Sequence, residues 1–143
     1  LAVFVGLPSS VLGNELSLKI GRQRAITLVM IFCLLFSFSI GFTANLPFVF
    51  VVAMALVYGF MITADSSSIT AGAVGSAPTE LRGATMAVHS FLGFGGGMIG
   101  PVVAGIVLDR SGGTESTTAW GLMFISMGAI TLVGPLALRL TRK

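Results

Sequence analysis

The sequence predicts an all-α integral membrane protein: four full transmembrane helices preceded by one truncated N-terminal helix. Three observations carry that expectation. Of the 143 residues, 55% are hydrophobic and only 9% charged, where a soluble domain carries roughly 25% charged residues. Residues 25–64 hold no formal charge, and that run is too long for one crossing, which takes about 20 apolar residues. Residues 64–109 then place an acid deep in an apolar run, follow it with a short basic turn, and continue into a glycine-rich apolar segment broken by Gly100-Pro101. Two spans joined by a tight loop explain that order, and a soluble fold does not.

Composition also excludes partners. The formal charge of +3 is small, it sits in loops and tail, and it lacks the interleaved aromatics of nucleic-acid binders, so nucleic acid is set aside. The single cysteine, Cys33, lies in an apolar span and has no partner for an internal disulfide; it reads as a small hydrophobe. No His/Cys/acid cluster has metal-ligand spacing, and nothing points to a cofactor. The chain opens on Leu1 inside an apolar run, with no basic n-region, so it does not read as a signal peptide. It reads as a cut through a longer protein whose missing N-terminal half would be its partner.

Taken in order, residues 1–14 are uncharged but too short to span, and look like the end of a truncated helix. Pro8 frees the Phe4 carbonyl, a kink that Ser9 or Ser10 can accommodate. Residues 15–24 form the first polar loop. The cluster 43–47 (TANLP) divides the long uncharged run into spans at about 24–42 and 48–76, with Pro47 starting the second. Residues 78–82 (PTELR) close that span, and residues 83–108 make the third. Residues 109–118 are a polar hairpin loop, and a fourth span covers about 118–138, with Trp120 as its interfacial anchor. Alternation then puts Lys19, Arg22, Arg24, Arg82, Arg139, Arg142 and Lys143 on one side and Arg110 alone on the other. The positive-inside rule makes the first side cytoplasmic, with the C-terminus inside and the protein in the cell (cytoplasmic or inner) membrane.

Residues 16–24 (LSLKIGRQR) resemble the cytoplasmic loop motif of the major facilitator superfamily, G-x-L-A-D-R-x-G-R-R. Leu18 stands where that family often has Asp, and Asn14 where it often has Gly; Glu15 is the acid available as a substitute. Residues 78–83 with 96–105 are similar to its P…RG loop and glycine-proline helix, and residues 120–124 (WGLMF) to the W-x-x-x-F opening of its last helix. The resemblance covers nearly the whole chain, from the end of the eighth helix through the twelfth. It implies a partial major-facilitator bundle, the C-terminal part of a transporter's transmembrane domain over 1–143. It also implies a gating role for Lys19, Gly21, Arg22, Arg24 and Arg82, and places the helix bearing Asp65 along a central path.

Asp65 is the sharpest single residue. It lies about 18 Å from the Pro78 boundary at ~1.5 Å per residue, near mid-membrane. An ionised carboxylate there costs at least ~2.5–3.5 kcal/mol, so it is paired, hydrated or protonated. No Lys or Arg lies within a span, which leaves a proton, a cationic substrate or a residue on helices outside this chain. Tyr58, Asp65 and Gly72 share one helix face. The bland alternative is a structural acid satisfied by Ser66, Ser67 or Ser68. Those serines and Thr70 either meet substrate, for which Ser66 and Ser68 are the candidates, or bond back to their own helix. His89, about 9 Å inside the boundary by the same rise, reads as part of a proton relay or as a histidine bonded to a neighbouring helix. Gly93/Gly97 and Gly96/Gly100 are small-xxx-small pairs that let another helix approach; with Gly105 and the bend expected at Pro101 they mark a packing or rocking face.

These features point to a secondary active transporter that moves a small solute by alternating access, coupled to protons through Asp65. Two other classes compete. An intramembrane hydrolase would use Asp65, His89 and a serine, but no nucleophile elbow or metal motif is present. A non-transporting scaffold or receptor would need larger loops than these.

Overall fold

The computed structural model describes residues 2–140. Arg142 and Lys143, two of the bases assigned to one side of the membrane, lie outside them. The described residues are helical with no strand: α1 (Ala2–Ile20), α2 (Arg22–Ile40), α3 (Phe48–Thr63), α4 (Ser66–Ser76), α5 (Arg82–Arg110), α6 (Thr117–Thr131) and α7 (Val133–Leu140), with 3₁₀ turns at Gly41–Thr43 and Thr79–Leu81. Among them, 4 helical stretches are long and apolar enough to cross a membrane: Arg22–Thr43, Phe48–Ser76, Thr79–Arg110 and Thr117–Ala137. They match the four spans expected from the sequence to within a few residues at each end.

Two boundaries differ from expectation. The polar loop expected over 15–24 shrinks to one residue, Gly21, because α1 continues to Ile20 and α2 begins at Arg22. Gly21 takes φ 90°, a left-handed conformation that a side chain disfavours, so the turn fits into a single glycine. The span at 48–76 is in two pieces, broken at Ala64-Asp65. No proline causes this. The Thr63 hydroxyl bonds back to the Gly59 and Phe60 carbonyls, Ser67 and Ser68 are drawn across to α1, and the Ala64 N–H turns to Met61 O at 3.2 Å, tightening the last turn of α3. The stop at Thr131 does come from a proline. Pro135 lacks the N–H that would reach the Thr131 carbonyl, and its ring crowds that carbonyl.

α2 is the central strut. It packs on α1, α3, α4, α6 and α7, and its buried residues Ala25, Ile26, Cys33, Ser37 and Ile40 recur at helical spacing along one side. Close backbone approaches fix it to α6. A Cβ on Gly128 would overlap Ser37 Oγ, one on Gly121 the Phe42 ring, and one on Gly41 the backbone at Trp120 and Gly121. Ser116 caps α6 by accepting the Ala119 N–H at 3.2 Å, and Trp120 Nε1 donates to Thr114 O at 2.8 Å, which anchors the loop to the helix end.

α1 is joined to α3 and α4 by serine hydrogen bonds and by the close approach of Gly13 to the Ala64 backbone. Ser9 Oγ donates to Phe60 O, Ser67 Oγ to Ser10 O at 2.7 Å, and Ser17 and Ser68 share a hydroxyl bond of 2.6 Å. Ser9 and Ser10 therefore serve α3 and α4, not the kink at Pro8, and α1 runs through that proline unbroken. α5 likewise passes through Pro101 without a break. It touches α4 and α6, but none of its residues is buried.

Candidate functional site

Tyr58, Asp65 and Gly72 all turn toward α2, as the shared-face argument requires and despite the break between α3 and α4. The Tyr58 ring stacks on Phe36 of α2 with centroids 6.1 Å apart and planes 11° from parallel. Its edge meets Phe124 of α6 at 5.7 Å and 79°. Two turns on, Asp65 lines a hollow of about 230 Å³ with Met30 and Cys33 of α2, Ile62, Ile130 and Thr131, and Gly134 of α7. Another two turns on, Gly72 lies under the Arg22 arm, where an added Cβ would sit 3.1 Å from Arg22 Cδ. This face meets α2, α6 and α7 of the same chain.

Asp65 is half-buried at the start of α4. Its side chain makes no capping hydrogen bond, and among the described residues it has no ion pair and no hydrogen bond. Ser66, Ser67 and Ser68 do not satisfy it. Ser66 is exposed, and its carbonyl accepts from Thr70 Oγ1 at 2.9 Å. Ser67 and Ser68 are turned to α1, and Ser68 is fully buried. Ser68 thus stands as a helix-joining residue, with its hydroxyl held by Ser17 and the Gly13 carbonyl of α1.

His89 and Asp65 are not brought together. His89 Nε2 lies 3.2 Å from Thr70 Oγ1. The Thr70 hydroxyl has one proton, which its bond to Ser66 O uses, so Thr70 accepts from Nε2–H. This bond joins α5 to α4, the structural role weighed for His89.

Within the basic set, Arg22 lies along α4 over Gly72 and Gly75. Lys19, Arg24 and Arg82 are exposed. Glu15, the acid expected to replace the motif's missing Asp, makes no ion pair among the described residues. Gly93, Gly96, Gly97, Gly100 and Gly105 have open space where a side chain would stand, so among the described residues no helix uses them for close approach. Beside them Phe91 and Phe94 are each 77% exposed, which leaves that side of α5 free of any packed neighbour among the described residues.

Sequence reasoning missed Met30, Thr131 and Gly134 around Asp65, Gly13 and Ser17 on α1, and the bond of Ser9 to α3. The α1 residues left a signal: small polar or glycine positions recurring about every turn or two in an apolar helix. The Met30–Gly134 approach left none, because it depends on how α7 packs against α2.

The fold and the site define a polytopic helical membrane protein with an ionisable group inside a broken span. A family model described as Major Facilitator Superfamily matches residues 1–143. The chain belongs to that superfamily, a family of membrane transporters of small molecules. No curated protein and no solved structure matches it.

Proposed function

We propose that the chain is the C-terminal part of a secondary active transporter that moves a small solute by alternating access, with Asp65 carrying the coupling proton. The observation that carries this reading is the Asp65 carboxylate. It lies in a candidate span, lines a hollow and lacks an ion-pair partner among the described residues. An intramembrane charge in that position costs at least ~2.5–3.5 kcal/mol unless neutralised. A proton neutralises it reversibly, and a group that exchanges a proton during a conformational cycle ties solute movement to the proton gradient. The break between α3 and α4 supports this reading, since irregular backbone inside a membrane is tolerated where it lines a cavity.

The basic residues at 19–24 and at Arg82 support a cytoplasmic side for those turns, in a cell membrane, by the positive-inside rule. The open glycine side of α5 is where the N-terminal half of the transporter packs. The hydrolase reading gains nothing, because His89 is bonded to Thr70 rather than to Asp65.

The test uses the full protein in proteoliposomes that enclose a pH-sensitive dye, challenged with a panel of sugars, organic acids, amines and drugs. The wild type is expected to move protons with a subset of the panel, and Asp65→Asn with none, at equal protein incorporation. Proton movement by Asp65→Asn at the wild-type rate would remove the coupling role. A wild type that transports nothing in the panel, protons included, would count against transport itself.

A further inference from the structure

We infer that Asp65 is reached from the side bearing residues 21–24 along a trough inside this bundle, and that Met30 and Gly134 form its constriction. The inference deepens the reading of Asp65 given above. Two hollows lie end to end along α2. The larger, about 660 Å³, opens between α2, α4 and α7, with Arg22, Gln23 and Ser76 among its polar walls. The smaller, about 230 Å³, is lined by Asp65, Cys33 and Thr131. Met30 and Gly134 line both, so they stand at the junction. They are in tight contact, since a Cβ on Gly134 would overlap Met30 Sδ.

The chemistry changes along this path. Arg22, Gln23 and Ser76 mark the mouth, and further in the wall is Ile26, Ile69 and Ser68, whose hydroxyl is held by Ser17 and the Gly13 carbonyl of α1. At the inner end the carboxylate and the Thr131 hydroxyl supply polar partners again. A water occupies about 30 Å³ and needs two to four polar partners, so the inner hollow has room for several around Asp65. Another hollow of about 230 Å³, bounded by Leu12, Phe32, Phe60 and Met61, offers no polar side chain and does not include Asp65. A neck closed by Met30 against Gly134 passes water and protons rather than a solute.

The neck is built to move. Met30 is unbranched, and its thioether swings between rotamers at little cost. Gly134 belongs to α7, which the break at Leu132 separates from α6. A small shift of α7 changes the spacing between Gly134 and Met30 while α2 stays in place.

Cys33 is a native reporter, because it lines the Asp65 hollow and is 5% exposed. Silver ion, a small thiol-specific probe, is added to one side of vesicles that carry the full protein. The protein is then unfolded and alkylated, and protection of Cys33 is read by peptide mass. Reactivity of Gln23→Cys fixes which side carries the basic turn. Silver from that side is expected to protect Cys33, at least 10-fold faster in Met30→Ala than in the wild type, and more slowly in Met30→Phe. Protection only from the opposite side, equal rates in all three proteins, or no protection in Met30→Ala would overturn the inference. The assay reads access and not flux, so a failed route and a failed coupling role for Asp65 give separate results.

Discussion

Gly13 and Gly97 show how differently two glycines of one apolar chain are used. At Gly13 an added Cβ would overlap the Ala64 backbone carbonyl, beside the break that presents Asp65. Backbone cannot swing aside as a side-chain tip can, so Gly13→Ala is expected to destabilise the protein by about 1–3 kcal/mol. A lowered unfolding midpoint in detergent would show it, and an unchanged midpoint would contradict the contact. At Gly97 the space is open, so Gly97→Ala should leave that midpoint alone. Gly97→Leu should impair assembly or cycling only through a helix outside the described residues, and wild-type transport in that variant would remove the α5 docking face. Thr70→Val takes away the hydroxyl that His89 meets. Interhelical bonds in membranes average about 0.6 kcal/mol, so a small fall in midpoint with transport retained is expected. Complete loss of proton movement would instead assign His89 to the proton path.

Among the elements, the breaks matter more than the helices. Pro135 ends α6 by removing a donor, so Pro135→Ala should let the helix run on from Thr131. Slower amide exchange across residues 132–136 would report it, and unchanged exchange would mean that packing against α2 sets the break. The spans themselves were legible in the sequence, because hydrophobicity sustained over a bilayer's thickness needs no tertiary information. The second break was not. Nothing between residues 60 and 70 forbids a helix; the polar cluster from Thr63 to Ser68 only weakens one, and its serines are held across to α1 at Ser10 and Ser17. The common face of Tyr58, Asp65 and Gly72 was legible from helical spacing. Its neighbours Met30, Thr131 and Gly134 were not, because they come from three other helices, α2, α6 and α7. The glycine pairs on α5 were read as a contact face, and among the described residues that face stands open. The close glycine contacts of this bundle are instead at Gly13, Gly41, Gly121, Gly128 and Gly134.

At the scale of the whole molecule the proposal joins a topology to a mechanism. The topology requires residues 111–116 and residues 21–24 to face opposite compartments. Single cysteines placed at Ser111 and Gln23 should react with an impermeant maleimide from opposite sides of intact cells, and labelling of both from one side would undo the alternation of spans. The mechanism requires one carboxyl group to separate two activities of the carrier. In proteoliposomes loaded with a transported solute, Asp65→Asn should keep solute-for-solute exchange and lose accumulation driven by a proton gradient, because the moving body survives while its proton carrier does not. Accumulation at the wild-type level, with exchange intact, would contradict the account.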